Sequence, residues 1–101
     1  MLNHISVPEL QQLLRASHPG WHPDAVLNLA DTYKKNLDSR LEGPLLQYLQ
    51  TGKYIEYSYG DFSLLEICGL RGCAYIDAVI LMDQYMRDPV MGRAKILARS
   101  R

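Results

Sequence analysis

From Tyr75 to Met86 the apolar residues Tyr75, Ile76, Ala78, Val79, Ile80, Leu81, Met82, Tyr85 and Met86 leave only Asp77, Asp83 and Gln84 polar. A helix apolar around nearly its whole circumference belongs inside a bundle or an oligomer, because a surface helix keeps one polar face. Residues 74–87 are therefore expected to form the buried central helix. Asp77 and Gln84, a heptad apart, are expected to mark its narrow solvent-facing stripe.

The other apolar patterns supply cover for it. Ser6-Val7-Pro8-Glu9 has the form of a capping box, with Ile5 and Leu10 placed as a hydrophobic staple, so a first helix runs from there through Leu10, Leu13 and Leu14 to about Ser17. Pro8 is tolerated because its missing N–H falls in the first turn. The connector His18-Pro19-Gly20-Trp21-His22-Pro23-Asp24 is stiffened by two prolines, and Trp21 is expected to fold back as a plug over the bundle end. Pro23 opens a second helix, whose Val26, Leu29, Ala30, Tyr33, Leu37 and Leu41 keep helical spacing for about five turns. Gly43-Pro44 breaks it and starts a short third helix that ends at Gly52.

Between Gly52 and Gly60 the pattern changes to period two, with Ile55, Tyr57 and Tyr59 on one face. No second strand stands out, so Tyr54–Tyr59 is expected to be an extended connector, or a strand pairing with its twin in another subunit. Ser63-Leu64-Leu65-Glu66 repeats the capping signal, with Phe62 and Ile67 as the staple, and a fourth helix leads into a turn at Gly69-Leu70-Arg71-Gly72. After the central helix, Asp88-Pro89 starts a last one, expected to turn Val90, Met91, Ala94, Leu97 and Ala98 inward and its basic residues outward. The fold class is all-α, a single domain over residues 1–101 of about five helices with one tyrosine-rich extended connector.

Charge narrows the functional classes. Eleven basic and eleven acidic side chains balance, which argues against non-specific binding of nucleic acid by the molecule as a whole. The balance is local, however, since Arg93, Lys95, Arg99 and Arg101 close the chain without an acid among them. No apolar run approaches the roughly 18 residues of a membrane span, and the first residues lack the pattern of a secretory signal. No membrane association and a cytoplasmic location are the expectations, with Cys68 and Cys73 as reduced thiols.

Candidate chemistry is sparse. The Gly69–Gly72 turn between two helices invites a helix-turn-helix reading over residues 63–87, and Arg71, Arg87, Arg93, Lys95 and Arg99 are the residues that would meet nucleic acid. The second helix offers Asp77 and aliphatics where base edges and phosphates demand Arg, Lys, Asn or Gln. The same Gly-x-x-Gly turn is similar to that of the RNA-binding KH arrangement, but the sheet of that fold is missing. A metal is not expected. The only donor set on offer is His18 and His22, four apart, with Cys68 and Cys73, five apart, and paired metal cysteines ordinarily sit two to four apart in a turn shaped for them. Asp77 and Asp83 lie six apart and off one helical face, so no carboxylate pair for acid–base work is implied.

The expected function is therefore non-enzymatic and without a cofactor. It is that of a small interaction or regulatory module that associates with protein, foremost with its own copies, with nucleic-acid binding as the alternative. Trp21, Tyr54, Tyr57 and Tyr59 are the expected contact residues, since amphipathic aromatics suit protein interfaces.

Overall fold

A computed structural model describes residues 1–98, and within them six α-helices surround one core. They are α1 (Val7–Ser17), α2 (Pro23–Asn36), α3 (Glu42–Thr51), α4 (Leu64–Arg71), α5 (Tyr75–Arg87) and α6 (Pro89–Leu97). A single 3-10 turn, Ser39–Leu41, joins α2 to α3, and two-residue strands β1 (Ser58–Tyr59) and β2 (Phe62–Ser63) precede α4. The all-α class expected from the pattern is the one observed.

The caps read from the sequence close as expected. Ser6 accepts from the Glu9 amide at 3.2 Å while its own amide donates to the Glu9 carboxylate at 2.9 Å, and Ile5 and Leu10 are fully buried beside them. Asp88 accepts from the Met91 amide at 3.1 Å, ahead of Pro89. Gly52 closes α3 in the left-handed region. Ser63 caps α4 through the Glu66 amide, but the reciprocal role falls to Glu56, which accepts from the amides of Tyr57 and Leu65.

Three elements differ from expectation. The second helix stops at Asn36 rather than reaching Leu41, because Leu37 turns to φ −61°, ψ 140° and the Asp38 amide leaves the helix to donate to Asp83 Oδ1 at 2.9 Å. That break lets Leu37 and Leu41 both reach the core. The tyrosine-rich segment does find a strand partner within its own chain: Tyr59 pairs with Phe62 and Ser58 with Ser63 across Gly60-Asp61, antiparallel. Gly60 sits at φ +57°, and a Cβ there would lie 2.4 Å from the Tyr85 hydroxyl, so the hairpin needs glycine at that corner. Finally, α4 continues through Gly69 to Arg71, and the chain turns only at Gly72.

The N-terminal five residues lie against this frame. Leu2 and Ile5 are buried, the Lys34 ammonium donates to the carbonyls of Leu2 and Ile5, and Glu42 accepts from the amides of His4 and Ile5. Burial pushes the Glu42 carboxyl up, but the amides of His4, Ile5 and Asn3 more than offset it and hold the group below its ordinary range.

Helix α5 is central, with Tyr75, Ile76, Ala78, Val79, Met82, Asp83 and Tyr85 buried. The stripe left partly open contains Asp77, Ile80, Leu81 and Gln84, so Asp77 and Gln84 share one face as expected, but half-covered rather than solvated. Asp83, at 5% exposure, is the acid taken into the core; its carboxylate holds the Asp38 amide and the Arg87 guanidinium.

Helix α6 corrects its expected orientation. Gly92 and Ile96 face inward, whereas Val90, Met91, Ala94, Leu97 and Ala98 face out. The reason is a backbone contact: at Gly92 a Cβ would lie 2.3 Å from Tyr85 Cα and 2.5 Å from its amide nitrogen. Only glycine lets the two helices approach so closely, and that approach fixes which side of α6 turns to the core. Gly92→Ala is expected to cost about 2–3 kcal/mol by overpacking, read as a lower midpoint of urea unfolding. Gly20→Ala, where no atom lies within 4 Å of the added carbon, serves as the neutral control.

Candidate functional site

Two features outside the core invite a functional reading: a cleft beside α5 and the outward face of α6. The cleft has a volume of about 320 Å³ and is lined by His18 and Trp21 from the α1–α2 loop, Tyr33 of α2, Arg71 of α4, Cys73, and Asp77, Ile80 and Leu81. His18 Nε2 and Asp77 Oδ1 are 2.8 Å apart, which ties the loop to the first turn of α5. Trp21 lies flat on the His18 ring, centroids 3.7 Å apart and planes 4° from parallel, with 43% of the residue exposed. It walls the cleft by stacking on the histidine, in place of the plug over the bundle end that was expected.

Burial raises the Tyr33 phenol, and the negative charges of Asp77 and Asp83 raise it further. Burial also pushes Cys68 up to about 11 and raises Cys73, the latter with the help of Asp77 and against the pull of Arg71. Both sulfurs are therefore predominantly neutral thiols near neutral pH, which makes them slow nucleophiles and poor metal ligands.

The four donors proposed for a metal are not brought together. Cys68 and Cys73 are neighbours, but His18 is engaged by Asp77, and His22 caps α2 by accepting from the Asp24 amide through Nδ1 at 3.1 Å on an exposed loop. Among the described residues no three His, Cys, Asp or Glu side chains are grouped to hold a metal ion.

The tyrosines are largely occupied within the molecule. Tyr54 packs with Tyr48 and Tyr75, ring centroids 5.6 and 5.1 Å away, and Tyr75 donates to the Ile55 carbonyl at 2.6 Å. Tyr59 meets Tyr85 edge-on at 6.0 Å under the guanidinium of Arg40, and Tyr57 is half-buried against the core. The alternation seen in the sequence therefore marks the side of the connector that packs inward.

The basic residues divide in the same way. Arg71 donates to the Ala98 carbonyl at the end of α6, Arg87 donates to the Asn36 carbonyl and pairs with Asp83, and Arg93 pairs with Asp61 at 3.4 Å over the Phe62 ring. Lys95 is exposed, and Arg99 lies outside the described residues. The first turn of α5, where a recognition helix would expose its reading residues, has Tyr75, Ile76 and Ala78 buried and Asp77 bonded to His18. No helix of the described residues is long and apolar enough to cross a membrane.

The outward face of α6 carries the other signal. Val90, Met91 and Leu97 are 82%, 55% and 46% exposed, and with Ala94 and Ala98 they follow one another at helical spacing. Arg93 and Lys95 flank this stripe on opposite sides, and the inward Gly92 and Ile96 lie across the helix from it. The five residues were legible as an apolar face, but its turning to solvent rather than to the core was not. Comparison of the chain with models of protein families, with characterised proteins and with solved structures finds no match to any of them.

His18→Ala removes both the partner of Asp77 and the ring under Trp21. The expected result is a loss of about 1 kcal/mol in stability, together with a red shift of tryptophan emission, which reports this one site because Trp21 is the sole tryptophan.

Proposed function

We propose that this chain is a non-enzymatic interaction module that associates with a second copy of itself through the outward face of α6. The observation that carries this reading is the solvent-facing stripe of Val90, Met91, Ala94, Leu97 and Ala98 on a helix already anchored through its opposite side. Apolar residues scattered singly over a surface need no explanation, but four at helical spacing on one short helix, with Ala98 at its cap beside them, do.

The stripe is self-complementary. In an antiparallel pairing about a two-fold axis through Ala94, Met91 falls opposite Leu97 of the second copy and Val90 opposite Ala98, with the small Ala94 at the crossing, where backbones come closest. The like charges that this geometry sets across each rim are exposed and screened, and Asp61 already offsets Arg93. A helix of nine residues covers little area, so the association is weak and depends on concentration. The reading as a reader of nucleic acid has less to draw on, because Arg71, Arg87 and Arg93 hold carbonyls and carboxylates of the chain itself.

Sedimentation equilibrium or light scattering tests the proposal across micromolar concentrations. The wild-type mass is expected to rise towards twice the monomer. Val90→Glu and Leu97→Glu, at positions that touch solvent, are expected to keep the unfolding midpoint and weaken association at least tenfold, about 1.4 kcal/mol. A wild-type chain that stays monomeric throughout, or variants that associate as well as it does, would refute this.

A further inference from the structure

The corner between α4 and α5 brings the only two cysteines of the chain together. Cys68 lies in the last turn of α4, and the Gly72 amide donates back to its carbonyl at 2.8 Å with Gly72 at φ +60°. That left-handed cap folds the following residue, Cys73, back over the turn that contains Cys68. This places the two side chains as neighbours across the cap, and both thiols are free and only partly buried. Cys73 also forms part of the cleft wall, which opens to solvent beside Trp21 and Arg71.

We propose that Cys68 and Cys73 are an oxidisable dithiol, a modification site at the α4–α5 corner that a peroxide converts reversibly into a disulfide within one chain. Cys73 reacts first, since it lines the cleft and Cys68 does not. Its sulfur attacks one peroxide oxygen, the O–O bond breaks, and the products are a sulfenic acid and, after protonation of the leaving hydroxide, water. The Cys68 sulfur then attacks that sulfur, the S–O bond breaks, and the departing hydroxide takes the Cys68 thiol proton and leaves as a second water. Two thiols are oxidised, one peroxide is reduced, and a thiol reductant reverses the net change. Burial keeps both groups protonated near neutral pH, so the pair oxidises slowly and answers sustained rather than transient exposure. The bridge would clamp the corner that sets α4 against α5, beside the loop that holds Trp21.

Arg71 lies between the two cysteines, which makes the product easy to read. Trypsin cuts the chain into Tyr54–Arg71, containing Cys68, and Gly72–Arg87, containing Cys73. After treatment of the folded protein with hydrogen peroxide, these two peptides are expected to stay joined, two hydrogens lighter than their sum, and to separate with dithiothreitol. The protein should still migrate as a single chain on a non-reducing gel, and Trp21 emission should fall on oxidation and recover on reduction. Cys68→Ser should abolish the joined pair and leave Cys73 to pass on to sulfinic acid. The proposal is overturned if the wild-type peptides come apart with Cys73 over-oxidised, if the link forms only between chains, or if both thiols survive peroxide that oxidises free cysteine. The wild-type map decides this even if the serine variant fails to fold.

Discussion

The burial of α5 on almost every side is the constraint on which the rest of the structure depends. Covering a thirteen-residue helix with short elements leaves many chain reversals around it, and each reversal has to be held. The helix holds them with its own few polar atoms. Tyr75 donates to the carbonyl of Ile55 in the connector, Asp77 meets His18 in the α1–α2 loop, Asp83 accepts from Asp38 at the entrance to the 3-10 turn, Tyr85 accepts from Asp61 in the hairpin, and Arg87 donates to Asn36 at the end of α2. Five side chains of one helix thus tether four different connections, the one between α2 and α3 twice. A buried carboxylate such as Asp83 is tolerated because a backbone amide and a guanidinium compensate it, even though burial keeps its carboxyl above the ordinary range.

The same helix decides what α6 can do. Because Gly92 meets the backbone of Tyr85, α6 is anchored by a glycine and an isoleucine rather than by its larger apolar residues. Those larger residues are released to the surface as a stripe, and the basic side chains stand to either side of it. The geometry that packs α6 closely is therefore the geometry that exposes its apolar face, and the proposed association follows from that trade.

Much of the local structure was legible in the sequence because its causes are local. Ser6 with Glu9, Pro23, Gly52 and Asp88-Pro89 mark helix ends through bonds that span four residues or fewer, and each does so in the structure. Features set by distant partners were not legible. The break after Asn36 depends on Asp83, forty-five residues beyond Asp38. The hairpin partner of Ser58-Tyr59 was hidden in Phe62-Ser63, which the capping pattern had assigned wholly to α4. For α6, periodicity identified the apolar stripe but was silent on which side the core would take, because the deciding residue is a glycine that has no place in a hydrophobic pattern. The cleft was missed for a related reason: His18, Tyr33, Cys73 and Asp77 come from four separate segments, and only the pairing of His18 with Asp77 draws them together.

Amide hydrogen exchange measured at several protein concentrations tests this account most directly, since it reads the core and the proposed contact face in one experiment. The account requires the amides of α5 to exchange most slowly at every concentration, while protection of α6 rises as the concentration is raised. Protection of α6 that does not change with concentration, or a rise confined instead to Tyr54–Tyr59, would contradict it.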